Sequence, residues 1–346
     1  MKPGLTPLEL SGAASTWVSV DVVRGREVLA LDLPIIGGEY TATSDREVQG
    51  EMRLTLDASH APESYSSPIS VYGQTIQATY WIQTGQQTTA TPLGLFRIQQ
   101  WNVDGQRLSV KAADVWQDLA DDPFPYPTSP ERNATVLNEA RRIAGRVPVD
   151  LAPGLDQPVT GVETWGVERG KALQELGDLY NIQWTTRPDG SLYGREAGLP
   201  AKVDTVYTGN DILLDVEKRG ERSYFNQVTA WGRKNGDEEQ PAMVATVRNN
   251  MPPYDAARYG VRTRIVQVDN AQSYTQVLQV AQRELRENGE TRGALSVEIV
   301  PDPRLELGDT IAVGEGASRA VGRVGAFVLP FEANKPMRVD LVEVLA

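Results

Sequence analysis

Apolar and polar residues alternate with a period of two through much of the first third of the chain. Val18, Val20 and Val22 alternate with Ser19 and Asp21, and Met52, Leu54 and Leu56 alternate with Arg53 and Thr55. Successive side chains of a strand point to opposite faces, so this alternation predicts strands with one face buried. From Leu95 to Val103 the parity changes, with Phe96 and Ile98 on one face and Trp101 and Val103 on the other, which predicts a β-bulge near Gln99-Gln100. Asp104-Gly105 then marks a tight hairpin into Leu108, Val110 and Ala112. These patterns define a first β domain over residues 1–115.

Over residues 116–205 the period becomes helical. Val136, Leu137, Ala140, Ile143 and Ala144 recur at helix spacing, Asn133 offers a cap and Gly145 a stop. A second stripe, Ala172, Leu173, Leu176, Leu179 and Tyr180, precedes a strand pair, Ile182–Thr185 and Leu192–Arg195, folded over Pro188-Asp189-Gly190. Four prolines between Asp121 and Pro130 predict an extended connector that cannot enter a sheet interior. The segment reads as a small α/β insert.

Strands return over 206–346, at Asn226–Trp231, Met243–Val247, Arg264–Val268, Thr310–Val313, Val321–Val328 and Met337–Val344, with Leu295, Val297 and Ile299 on one further alternating run. The polar run Asn235-Gly236-Asp237-Glu238-Glu239 reads as a solvated hairpin tip. One amphipathic helix interrupts them, with Tyr274, Val277, Leu278, Ala281 and Leu285 on one side and Arg283, Glu284, Arg286 and Glu287 toward water. No sequence repeat or low-complexity segment is visible. The fold class expected is a β-rich α+β protein, two β domains flanking the insert.

Length and composition sharpen this picture. At 346 residues the chain exceeds the roughly 250–300 residues over which a single core keeps growing. Its 31 glycines and 22 prolines indicate many turns. With 34 basic against 46 acidic residues the net charge is −12, which repels phosphate backbones and anionic lipid, so stable nucleic-acid binding and membrane insertion are not expected. The absence of cysteine removes disulfides, thiolate nucleophiles and thiolate metal ligands together. Met1 to Pro7 carry no apolar run of signal-peptide length, and no stretch approaches the ~20 apolar residues that span a bilayer, so a cytoplasmic origin is expected.

Few candidates for chemistry remain. His60 is the one histidine, in a loop-like Ser59-His60-Ala61-Pro62 setting, without a second histidine to share a metal or a proton. Gly166 to Ala172 is like a phosphate-binding loop, but its glycine spacing is one residue short and Ala172 stands where a magnesium-binding hydroxyl belongs, so it reads as a helix start. Gly314-Glu315-Gly316 and Gly322-Arg323-Val324-Gly325 lie between strands and read as turns. Asn133-Ala134-Thr135 matches a glycosylation acceptor, but carries no meaning in a chain without an export signal. A carbohydrate-active reading needs two opposed acids beside aromatic platforms. Asp121, Asp122 and the seven tryptophans permit it, although Trp101, Trp184 and Trp231 fall on strand positions that core packing explains. No catalytic, cofactor-binding or metal residue is assigned, and no cofactor is expected.

Several stretches carry a family resemblance. They are Arg26 to Pro34 followed by Gly37-Gly38-Glu39-Tyr40 and the run at 46–56; Thr91-Pro92-Leu93-Gly94-Leu95-Phe96-Arg97-Ile98, leading to Ala113-Asp114; Ala172-Leu173 to Leu176 with Tyr180-Asn181-Ile182-Gln183-Trp184; Asn226-Gln227-Val228 to Trp231-Gly232; and Leu305-Glu306-Leu307-Gly308-Asp309-Thr310-Ile311. In these the chain resembles minor tail proteins of long-tailed phages of actinobacteria, which form a tail-tip hub or the N-terminal hub part of a tail-associated lysin. The stretches that carry the resemblance include no peptidoglycan-cleaving domain, so a structural protein without the lysin activity of longer relatives, and no enzyme, is expected.

It further implies a homotrimer in which each chain contributes two related β-barrel-like domains, six similar units matching the hexameric tail tube or distal tail ring. The expected partners are a distal tail or tail tube protein, the tape-measure protein and other tail-tip proteins, with DNA only in transit through the channel. The expected location is the virion tail tip, assembled in the host cytoplasm. Two other classes fit the composition: a monomeric carbohydrate-binding or glycan-cleaving β protein, and the hub of a contractile injection system.

Overall fold

A computed structural model describes residues 1–2, 4–10, 15–160, 164–197, 203–209, 212–219, 225–232, 243–250, 255–268, 274–288, 293–315 and 319–345. The fold is β-rich with few helices. It divides into two compact units, Met1–Lys218 with Ala294–Ala346, and Arg219–Gly293.

The first unit opens with a short helix, α1 (Pro7–Leu10), and seven strands: β1 (Ser15–Arg24), β2 (Glu27–Ala30), β3 (Ile35–Thr43), β4 (Gly50–Asp57), β5 (Thr75–Thr84), β6 (Gln87–Asp104) and β7 (Arg107–Ala113). The alternation of β1 and β4 is realised: Val20, Val22, Met52, Leu54 and Leu56 are buried while Arg53 faces out. The bulge expected near Gln99 is present, because the β6–β7 register shifts between Ile98 and Gln100. Gly105, at φ 59, turns that hairpin, a backbone geometry that costs glycine little.

An insert of three strands and three helices follows: α2 (Trp116–Asp121), α3 (Val136–Ala144), β8 (Val149–Leu151), α4 (Arg169–Tyr180), β9 (Ile182–Thr186) and β10 (Leu192–Glu196). The strands order as β8-β10-β9, and the insert has its own core of Trp116, Val136, Ile143, Trp165, Leu173, Leu176 and Leu192 among others. Thr135, not Asn133, caps α3, accepting from the Asn138 amide at 3.4 Å, while Asn133 takes a left-handed φ of 61 just before the cap. The stripe of α4 is narrower than expected: Ala172, Leu173 and Leu176 are buried, but Leu179 is exposed. Gly177 allows close packing, since a Cβ there would meet the Ile182 carbonyl and, at 2.9 Å, the Trp184 indole nitrogen.

The chain then returns to the large sheet through β11 (Thr205–Tyr207) and β12 (Leu213–Arg219). The second unit contains β13 (Gln227–Gly232), β14 (Met243–Arg248), the short α5 (Ala256–Tyr259), β15 (Thr263–Val268) and α6 (Tyr274–Asn288). In it β13 pairs antiparallel with β14 and parallel with β15, and Val277 and Ala281 of α6 share a core with Phe225, Val228, Ala230 and Ala245. The polar tip at Asn235 to Glu239 lies outside the described residues. Four further strands complete the large sheet: β16 (Gly293–Ile299), β17 (Thr310–Val313), β18 (Ala320–Pro330) and β19 (Met337–Leu345).

The large sheet has thirteen strands in the order β12-β16-β19-β18-β3-β4-β7-β6-β5-β1-β2, with β17 also pairing β18 and β11 pairing β17. Among the described residues no pairing joins its two ends. The antiparallel contact of Ala326–Pro330 with Glu39–Thr43 joins the first strands of the chain to the last. One hydrophobic core serves both parts, from Val20 and Phe96 to Ile311, Phe327 and Leu341. Gly322 and Gly325 lie inside β18 and are not the turn the sequence suggested: a Cβ at Gly325 would stand 2.7 Å from the Val342 side chain, so glycine is required by strand contact. Gly314, at φ 88, does turn, whereas Gly316 lies outside the described residues.

Candidate functional site

His60 ends a single 3-10 turn, Ala58–His60, held by the Asp57 carboxylate accepting from the Ser59 amide at 2.9 Å. It is a turn residue. Among the described residues no group of three or more His, Asp or Glu is placed to hold a metal ion. No helix among them is long and apolar enough to cross a membrane. The glycine run at 166–172 is indeed a helix start, and Arg169 fills the space in front of α4: its guanidinium donates to the Ile143 carbonyl at 2.8 Å and stacks 4.2 Å from the Phe124 ring.

Asp121 accepts from Gln117 at 2.8 Å and Asp122 pairs with Arg169 at 3.4 Å. Both line a cleft of about 530 Å³ between the sheet and the insert, with Arg97, Asp118, Arg146 and Asp189. No aromatic ring lines it. The coplanar pair Trp17 and Trp81, 6.0 Å apart, stacks across β1 and β5 and contributes nothing to that cleft. In this cleft, among the described residues, acids are not joined by the aromatic platforms that a carbohydrate site needs.

What the polar side chains build instead is a set of clamps. Arg195 of β10 reaches the Asp309 carboxylate at 3.0 Å and also donates to the Leu307 carbonyl. Arg323 of β18 donates to Gln183 of β9 at 2.9 Å, and Thr186 donates to Asp114 at 3.0 Å. Each bond joins the insert to the sheet. Within the insert, Glu139 accepts from two Arg142 guanidinium nitrogens, at 3.0 and 2.7 Å, and from the Trp165 indole at 2.6 Å. Beneath β17 the Tyr207 hydroxyl donates to Asp302 at 2.7 Å, and Arg304 grips the same carboxylate at 2.9 and 2.6 Å. Burial and then the neighbouring Asp302 hold the Tyr207 phenol well above its usual pKa, so it stays a donor.

Asp114 gives these clamps a pH dependence. Burial pushes its carboxyl up to about 7, against bonds from Thr186 and the Trp116 amide that favour the charged form. An acid that titrates higher when folded binds more protons than the unfolded chain between its two pKa values. Its contribution is therefore retained at low pH and lost as pH rises from about 4 to about 7. Asp114→Asn is expected to remove this loss, about 1.4 kcal/mol per pH unit within the window. Urea midpoints of both proteins at pH 5, 6, 7 and 8 check it, and parallel pH profiles would refute it.

Besides the margins at β2 and β11, two stretches of the sheet have an unpaired side among the described residues. β12 ends the sheet order, and its Leu214 and Val216 are exposed. The second is the far half of β6: β5 pairs with it only as far as Arg97, and Gln100 to Asp104 have β7 on one side and no strand on the other among the described residues. Trp101 stands opposite the buried Val110 yet is 38% exposed. The core position expected for it is an uncovered one, because the sheet ends beside it. Trp184, by contrast, is buried as expected, and Trp231 is half-buried. Sequence alternation finds inward faces but cannot show which inward positions lack a neighbouring strand.

No protein-family model and no curated protein sequence matches this chain. Solved structures do. The 43 kDa tail protein of prophage MuSo2 from Shewanella oneidensis superposes with a TM-score of 0.65 at 14% identity, over 94% of this chain and 98% of that one. A tail protein from Neisseria meningitidis gives 0.63 at 14% identity, over 94% and 96%. Prophage tail protein gp18 from Listeria monocytogenes gives 0.57 at 12% identity, over 94% of each. At these identities the likeness is one of fold: the chain has the β-rich architecture of these phage tail proteins along nearly its whole length.

Proposed function

We propose that this chain is a structural virion protein, the hub of a phage tail tip, acting as a homotrimer in which each copy contributes two barrel-like lobes. The observation that carries this reading is the extent of the fold likeness, 94% of the chain against tail proteins covered almost entirely themselves. The three-part division at 1–115, 116–205 and 206–346 describes its parts: two sheet-forming lobes and an insert outside the ring. Six lobes from three chains would match a sixfold tail tube or distal tail ring to threefold tip components. The channel would pass tape-measure protein and then DNA, and a net charge of −12 supports passage without sticking. The role is architectural and non-enzymatic. Assignment to long-tailed phages of actinobacteria, and to the hub part of their lysins, rests on the sequence patterns at 26–56, 91–98 and 305–311.

Native mass spectrometry of the full chain, alone and with the tail proteins encoded beside it, tests the proposal. The expected species is three times the 37.9 kDa chain mass. A monomer under both conditions would sink it.

A further inference from the structure

The two halves of the large sheet have the same strand order. In the first half the neighbours run β1-β5-β6-β7-β4-β3; in the second they run β11-β17-β18-β19-β16-β12. Both series take their strands in the same order along the chain, so each of these strands has a counterpart, while β2 has none. The match extends to register. β5 stops pairing with β6 at Thr75–Arg97, and β17 begins pairing with β18 at Thr310–Arg323. Two residues further on, each long strand carries an irregularity, between Ile98 and Gln100 in β6 and between Val324 and Ala326 in β18. Gln100 to Asp104 therefore correspond to Ala326 to Pro330. One departure is that β1 runs antiparallel to β5 while β11 runs parallel to β17.

A further break in the correspondence lies at one contact between the halves. Ala326 to Pro330 are covered by β3, the terminal strand of the first half, in an antiparallel pair closed by the Phe331 amide on the Gly38 carbonyl at 2.9 Å. Their counterparts, Gln100 to Asp104, are covered by nothing among the described residues, and β12, the counterpart of β3, has an open edge. Side chains follow the same pattern. Phe327 is 3% exposed and meets Tyr40 edge to face at 5.3 Å, whereas its counterpart Trp101 is 38% exposed. Leu329 is 1% exposed, and its counterpart Val103 is 40% exposed. On β12, Leu214 and Val216 are 50% and 38% exposed. An open edge with unpaired backbone groups and apolar side chains is a template for another strand.

We infer that β12 of one copy pairs antiparallel with Gln100–Asp104 of β6 in a second copy, repeating between chains the β3–β18 junction made within one. The contact is heterologous, so each copy offers one strand and receives another, and a ring forms when the rotation closes. The inference deepens the hub reading and rests on it for closure at three copies.

The chain has no cysteine, which makes disulfide mapping clean. Asn102→Cys is combined in turn with Leu214→Cys, Asp215→Cys and Val216→Cys, and the full-length proteins are oxidised and run under denaturing conditions. At least one combination is expected to give linked dimers and trimers and nothing larger, with none from the single-cysteine proteins. Val103→Lys with Leu214→Lys is expected to weaken association at least about tenfold, since both lysines would be buried in the junction, while the circular dichroism spectrum is unchanged. If the natural chain is trimeric, yet no combination links and the lysine variant still assembles, the inferred interface is wrong and the hub reading stands. Linked species extending beyond trimers would establish the interface and overturn the trimeric hub. A natural chain that stays monomeric with and without its tail partners overturns both.

Discussion

Asp302→Ala is expected to destabilise the sheet unit by about 3–5 kcal/mol, the range for removing one partner of a buried ion pair. Asp302 is fully buried, and its carboxylate accepts from the Tyr207 hydroxyl and from the backbone and side chain of Arg304. Alanine would strand a largely buried guanidinium and a fully buried phenol. Tyr207→Phe makes the contrast, because Arg304 still satisfies Asp302; it is expected to cost about 1 kcal/mol, one hydrogen bond. Urea unfolding followed by tryptophan fluorescence separates the two. Equal midpoints for the two variants would show that the pair is not the anchor described.

Trp116→Ala is expected to cost a similar amount, about 3–5 kcal/mol, for a different reason. The side chain is completely buried at the entrance to the insert, in a core with Leu119, Leu173 and Leu176, and its removal leaves a cavity there. The indole N–H has no hydrogen-bond partner among the described residues, so packing is what the side chain contributes there. Trp116→Phe is accordingly expected to recover most of the loss. Thermal unfolding of both variants measures this. A phenylalanine variant as unstable as the alanine one would point to an unseen bond of the indole.

Local features were legible from the residues. Valines at 18, 20 and 22 placed β1, the parity change at Gln99 placed the bulge in β6, and Gly145 marked the stop of α3. Each of these depends on neighbours a few positions away. The β3–β18 pairing was not legible, because it joins Thr41 to Val328 and nothing in either segment encodes the other. Gly322 and Gly325 were misread for the same reason: glycine composition suggests a turn, while the Val342 side chain against the strand is a distant contact. The open margin at Trp101 was hidden too, since the pattern of an inward tryptophan is the same whether or not a strand lies beside it. Sequence supplied the faces of the strands; only coordinates supplied their order, and the proposed assembly rests on that order.

Between β3 and β4 the chain crosses in six residues, Ser44 to Gln49, while between the counterpart strands β12 and β16 it makes a detour long enough to fold the whole Arg219–Gly293 unit. Because β12 and β16 are adjacent, that detour leaves and rejoins the sheet through neighbouring strands, so it can be lengthened, exchanged or shortened to a simple turn without disturbing the ladder. The scaffold therefore has a natural splice point, already occupied in one half and vacant in the other, where foreign sequence could be carried.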